Sequence, residues 1–195
     1  MTLAIRKDRH LQTGKKVFLR YPNASDETEF LELMKRSRLL HRGYVSPPLE
    51  PVQFRAFLER GRQADMRTYL ACRCEDQEIA GVFNLSQIFM GGFRSAYLGY
   101  YVGSPFANQG YMSEGLQLVL NEAFRRIKLH RVEANIQPSN APSIALVSRA
   151  GFSREGYSRH YLKIGGRWRD HERWAILVED WRGGKKSKHS SKVKA

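Results

Sequence analysis

The feature that most constrains this chain is a strand that ends in a Pro- and Gly-containing loop and passes at once into an amphipathic helix. It reads Val102-Gly103-Ser104-Pro105-Phe106-Ala107-Asn108-Gln109-Gly110-Tyr111-Met112-Ser113-Glu114-Gly115. Behind it, Leu116, Val119, Leu120, Ala123 and Ile127 form an apolar stripe at helical spacing. The first backbone N–H groups of a helix have no partner within it, so such a junction suits an anion such as a pyrophosphate. Gly110 lets backbone and phosphate approach where a side chain would not. Loops of this composition also join strands to helices without binding anything, so the segment alone leaves that reading open.

The flanking pattern limits the fold. Val17-Phe18-Leu19-Arg20-Tyr21 reads as a first strand, and Pro22-Asn23-Ala24-Ser25 as a turn. Ser25 or Asp26 is expected to cap a helix carrying Phe30, Leu31, Leu33 and Met34 through about Ser37. After the Pro-rich connection Tyr44 to Leu49, a second helix spans about Pro51 to Gln63, with proline at its start. Arg67 to Cys74 and Ile79 to Phe89 form a hairpin across Glu75-Asp76-Gln77-Glu78, and Ser95 to Val102 is a further strand. Val132 to Ile136 is a short strand, followed by an Asn140-capped helix closing at Gly151. A final hairpin, about Phe152 to Ile164 and Trp168 to Val178, turns at Gly165-Gly166. Helices interrupting mostly antiparallel strands argue for one α/β (α+β) domain around a mixed sheet. Its expected bounds are 17–181, with a basic arm at 1–16 and a basic, disordered tail at 182–195.

The 195 residues carry a net charge of +14, of which the tail contributes six Lys or Arg and no acid. The +8 left on the body fits RNA proximity, a polyphosphate pocket or plain solubility, and charge does not choose among them. Cys72 and Cys74 lie two apart and read as reduced, packed thiols on one strand face rather than a metal or redox site. No run of about 18 apolar residues occurs. The N-terminal residues turn charged too early for a secretory leader. The expected setting is cytoplasmic, without membrane association or metal, as a monomer or homodimer.

Order and spacing then bring a resemblance. Some thirty residues after the glycine loop comes Asn140-Ala141-Pro142-Ser143, opening a helix that closes with Ala150-Gly151-Phe152. The chain resembles the GNAT N-acetyltransferases, whose acetyl-CoA loop follows the fourth strand and whose later Asn-x-x-Ser/Ala helix ends in Gly-Phe. Within them it is similar to the RimJ type, the ribosomal-protein alanine N-acetyltransferases. The segments carrying this are Gly81-Val82-Phe83-Asn84, Ala96 to Tyr100, Gln109 to Glu114, Glu155-Gly156-Tyr157 and Tyr161 to His171. Ala107 and Met112 depart from the family's Arg/Gln and Gly/Ala.

The resemblance implies a sheet splayed between its fourth and fifth strands, flanked by helices on both faces. It further implies acetyl-CoA held by Ala107, Asn108, Gln109, Gly110, Tyr111, Met112, Ser113, Asn140 and Ser143. The backbone of Tyr101, Val102 and Gly103 would hold the pantetheine arm. The family's usual acid and base positions are Val147 and Leu98 here, so both roles pass elsewhere. Ser143 is the candidate acid. Glu155 and His160 are the leading candidate bases, with Glu114 and Tyr161 also considered. Arg167, Arg169 and His171 are candidates for an acceptor route, and Tyr44 to Leu49 for the acceptor mouth. The acceptor implied is a protein N-terminal amine, plausibly ribosomal, with the tail near ribosome or RNA. A small-molecule amine, or an inactive RNA-associated module, are the alternatives.

Overall fold

A computed structural model describes residues 10–181. The basic tail at 182–195 and the first nine residues of the arm lie outside the described residues. The elements run β1 Gln12–Thr13, β2 Val17–Arg20, α1 Glu27–Arg36, α2 Arg38–His41, α3 Pro51–Gly61, β3 Arg67–Arg73, β4 Ile79–Phe89 and β5 Ser95–Val102. They continue with α4 Tyr111–Asn121, β6 Arg131–Ile136, α5 Ala141–Ala150, β7 Ser153–Ile164 and β8 Arg167–Leu177. The eight strands form one sheet in the order β1-β2-β3-β4-β5-β6-β8-β7. Every pairing is antiparallel except β5 with β6.

That exception positions the site. β5 and β6 pair only at Ser95↔Arg131, Ala96↔Val132 and Tyr97↔Glu133, after which the strands part. β5 nevertheless stays on β4 through Gly81↔Val102. The sheet is therefore open on one side of Leu98 to Val102 while remaining closed on the other.

Apolar alternation sends side chains to two cores, one on each face. On one face Leu19, Ala71, Phe83, Leu85 and Leu98 pack with Leu116, Val119 and Leu120 of α4 and with Leu146 and Val147 of α5. On the other, Phe18, Leu70, Cys72 and Val82 pack with Phe30 and Met34 of α1 and Phe54 of α3. The helices thus flank both faces, as expected.

Several local expectations are corrected. Gln12 and Thr13 of the supposed arm add a strand opposite Leu19 and Phe18. Asn23 caps the short 3-10 turn Ala24–Asp26 that leads into α1, its side chain accepting from Ser25 N while Asp26 accepts from Asn23 N. Asp26 holds the N-cap position of α1 but makes no side-chain cap bond to it. Asp26 is drawn inward by Arg20, with both guanidinium nitrogens 2.8 Å from its carboxylate oxygens. Cys72 is buried on β3, but Cys74 lies beyond the strand end and is exposed, and both are free thiols. Of the tryptophans, Trp181 packs on Phe124 and Trp174 donates to Glu172, whereas Trp168 is 61% exposed.

Candidate active site

The opening of the sheet leads into a cleft of about 570 Å³. One wall is β5 and the loop after it, another is β6 with the first turns of α5, and α2 with Tyr44 and Val45 closes a side. The backbone of β5 supplies the first polar groups. Gly103 N donates to Ala80 O, which makes Gly103 and Ala80 a bonded pair of the antiparallel ladder. Such pairs alternate, so Tyr101 and Gly99 also turn their backbone groups toward β4, and Leu98, Tyr100 and Val102 turn theirs to the opening. Of the three residues expected to present backbone to a ligand, Val102 turns its main chain to the opening, where its carbonyl accepts from His41. Tyr101 lines the cleft without offering its main chain, and Gly103 does not line it.

The glycine loop is a short 3-10 turn, Ser104–Phe106, followed by two left-handed residues, Asn108 (φ 60) and Gly110 (φ 85). Gly110 is the N-cap of α4 and has no side chain to satisfy the first-turn N–H groups of Tyr111, Met112 and Ser113. The helix dipole adds positive potential at the same point. Lys16 brings an ammonium there too, its Nζ donating to Gln109 O at 3.0 Å. Ala107, Asn108, Gly110, Met112 and Ser113 line the cleft as expected. Gln109 folds back to donate to Pro105 O at 2.6 Å, and the Tyr111 ring packs edge-on to Phe106, so neither side chain is in the cleft.

Across the opening, Asn140 caps α5 by accepting from Ser143 N at 3.3 Å, and both residues line the cleft. Tyr100 donates to Ser143 O at 3.2 Å, tying β5 to α5 below the opening. Burial pushes the Tyr100 phenol up to about 12, so it stays protonated. Val147 is wholly buried, and its place in the core holds no acid.

The expected bases do not reach the cleft. Glu155 is exposed on β7, where Arg131 grips its carboxylate (Oε1 to NH1, 2.8 Å) and holds it below the usual carboxylate range. His160 is exposed at an irregularity of β7 (φ 48), its N–H donating to Asp170. Glu114 accepts from Lys15 N and Lys16 N and so anchors the arm to α4. Tyr161 packs beside the cleft, on the ring of His171. Arg167 is exposed at the hairpin tip, and Arg169 does not line the cleft.

The structure adds residues that local sequence could not place. His41 Nε2 lies 2.8 Å from Val102 O, and because a carbonyl only accepts, Nε2 is the donor; burial holds the ring below its ordinary pKa. Tyr44 reaches across to Ser139, and Gln137 donates to Gly43 O, so two loops meet over the cleft. His171 is 2% exposed and lines the cleft. Among the described residues, no carboxylate lines it, and the cations there are Arg149 and the two histidines when protonated.

A family model described as an acetyltransferase (GNAT) domain matches residues 16–153. The chain belongs to this family. Among curated GNAT relatives, the ribosomal protein uS5-alanine N-acetyltransferase of Escherichia coli is 40% identical over 111 residues, 57% of each chain. The match thus spans a little over half of that relative's length. The probable N-acetyltransferase YjcK of Bacillus subtilis is 30% identical over 175 residues, 86% of this chain and 97% of YjcK. Among solved GNAT structures, Mycobacterium smegmatis RimJ in complex with CoA-disulfide superposes with a TM-score of 0.76 at 27% identity, covering 84% of this chain and 82% of RimJ. A spermidine N-acetyltransferase of Vibrio cholerae, in complex with CoA and spermine, shares the fold at 18% identity and a TM-score of 0.72, over 84% and 96% of the two chains.

Proposed function

We propose that this GNAT protein transfers an acetyl group from acetyl-CoA to the N-terminal α-amine of a protein, with a ribosomal protein as the favoured acceptor. The residues present fit the donor. An N-cap glycine in the left-handed region, the uncapped N–H groups after it and Lys16 beside them make a polyphosphate cradle. Lys16 supplies a polar, positively charged contact where Ala107 lacks the side chain of an Arg or Gln. The open backbone edge at Leu98, Tyr100 and Val102 suits the amides of a pantetheine arm.

The donor supplies an activated thioester. The chain aligns it through the β5 edge and directs an N–H toward the carbonyl, where a preorganised donor favours developing negative charge. Ser143 lines the cleft at the start of α5, which supports assigning it the return of a proton to the departing thiolate.

The observation carrying the choice of acceptor is the absence of carboxylates among the described cleft residues. A polyamine brings two or more cationic amines into a confined site and needs counter-charges there. A single uncharged α-amine needs none. The uS5-alanine enzyme of E. coli supports the same acceptor class. The test is thiol release from acetyl-CoA against a set of Ala- and Ser-initiated peptides and a set of polyamines, amino acids and aminoglycosides. Turnover confined to peptides supports the reading. Faster turnover of spermidine than of any peptide overturns it.

A further inference from the structure

We propose that His171 is the catalytic base that takes the proton from the attacking amine, directly or through one water. The assignment rests on the acetyltransfer reading above. An amine that attacks a thioester must lose a proton as the C–N bond forms and the C–S bond breaks, with CoA leaving as the thiolate. A group that accepts that proton must have a free lone pair in the cleft and be unprotonated near neutral pH.

Few cleft residues qualify. No carboxylate is there among the described residues. The Tyr100 and Tyr101 phenols are buried and held protonated. His41 spends Nε2 on the Val102 carbonyl, and its Nδ1 is sealed from solvent without a partner. Ser143 is a neutral hydroxyl, and Tyr44 is a phenol that donates its proton to Ser139 O. His171 remains.

Its geometry suits the role. Nδ1 lies 3.0 Å from Arg169 O, and a carbonyl only accepts, so the neutral ring carries its proton on Nδ1. That leaves the Nε2 lone pair as the edge of the ring available to the cleft, and no described group hydrogen-bonds it. The ring is held from behind by Tyr161, with centroids 5.8 Å apart. Burial, opposed by the Arg169 carbonyl and the charge of Asp170, leaves the imidazole below its ordinary pKa, so it is neutral at pH 7. The charged and titratable groups around it are Asp170 and Arg169 on β8 and Tyr161 on β7. Asp170 is itself held by Tyr157 and the His160 N–H. β6 and the residue after it bring Asn135, Ile136 and Gln137, none of them charged, to the same cleft.

The experiment is the pH profile of kcat/KM for the wild type and for His171→Gln and His171→Asn, on a peptide that the wild type acetylates. The wild type should show one limb below the ordinary imidazole value of about 6.5 and a second near 8 from the acceptor amine. Both variants should lose the lower limb and fall by about a hundredfold or more at pH 7, while CoA affinity stays within about threefold. A variant that binds CoA, melts normally and keeps the wild-type rate and profile overturns the proposal. Because His171 is buried, ¹⁵N-histidine NMR of the unaltered protein gives a second check. A proton resting on Nε2, or a ring charged at pH 7, also overturns it. A wild type that turns over no amine while its NMR shows the Nδ1–H tautomer instead refutes the acetyltransfer reading.

Discussion

Replacing Gly110 by alanine separates backbone strain from ligand binding. Gly110 opens α4 at φ 85. An L-residue in the left-handed region costs about 1–2 kcal/mol, equivalent to roughly 2–8 °C in Tm for a chain of this size. The added Cβ would stand 3.6 Å from Lys16 Nζ, so there is room for it and the cost lies in the backbone. Relief by rotation of φ would swing the N–H groups of Tyr111, Met112 and Ser113 away from a common anion. Losing one charge-assisted hydrogen bond to phosphate costs about 1.5–3 kcal/mol, or roughly 10- to 100-fold in Kd. Gly166 supplies the control: it has φ 79 at the β7–β8 turn, far from the cleft, with nothing within 4 Å of an added Cβ. Calorimetric titration with CoA should show at least a tenfold loss for Gly110→Ala and none for Gly166→Ala, at similar drops in Tm. Equal affinity in both variants would refute the phosphate cradle.

Asn140→Ala and Ser143→Ala should divide by observable. Losing the α5 cap costs about 1 kcal/mol, a fall of roughly 2–4 °C, whereas Ser143→Ala should leave the melt alone and lower kcat. Asp26→Asn breaks the buried pair with Arg20 and should cost about 3–5 kcal/mol by denaturant unfolding, with CoA affinity of the folded protein unchanged. Stability should also fall as pH drops below about 6.5. His41 and His171 have lowered pKa values when folded, so there the unfolded chain binds more protons than the native one. Replacing His41 by Asn should flatten the Tm profile between about pH 5 and pH 7; a slope unchanged from wild type would show that His41 is not responsible.

Local chemistry was legible in the sequence. The Asn140 cap, the glycine helix start, the Gly165-Gly166 turn and the apolar stripe of α4 each depend on residues within one or two turns of each other. What local reading missed depends on distant partners. Asp26 looked like a helix cap, but Arg20 on the neighbouring strand claims it. Glu155 looked like a base until β6 brought Arg131 against it. His171 was one of three alternate residues on a strand; it is buried next to the last β6–β8 pair, Ile136↔Glu172, while Arg167 stands at the hairpin tip in solvent. The splay itself was legible only by resemblance, because nothing in Tyr97 or Leu98 announces that pairing with β6 stops between them.

The measurement that bears most directly on the site is amide hydrogen exchange with and without saturating CoA. If the cofactor lies along the β5 edge and against the start of α4, the N–H groups of Tyr100, Val102, Tyr111, Met112 and Ser113 should slow together, while those of the β7–β8 turn stay unchanged. CoA that binds without protecting these amides, or protects a different surface, would contradict the placement of the active site in this cleft.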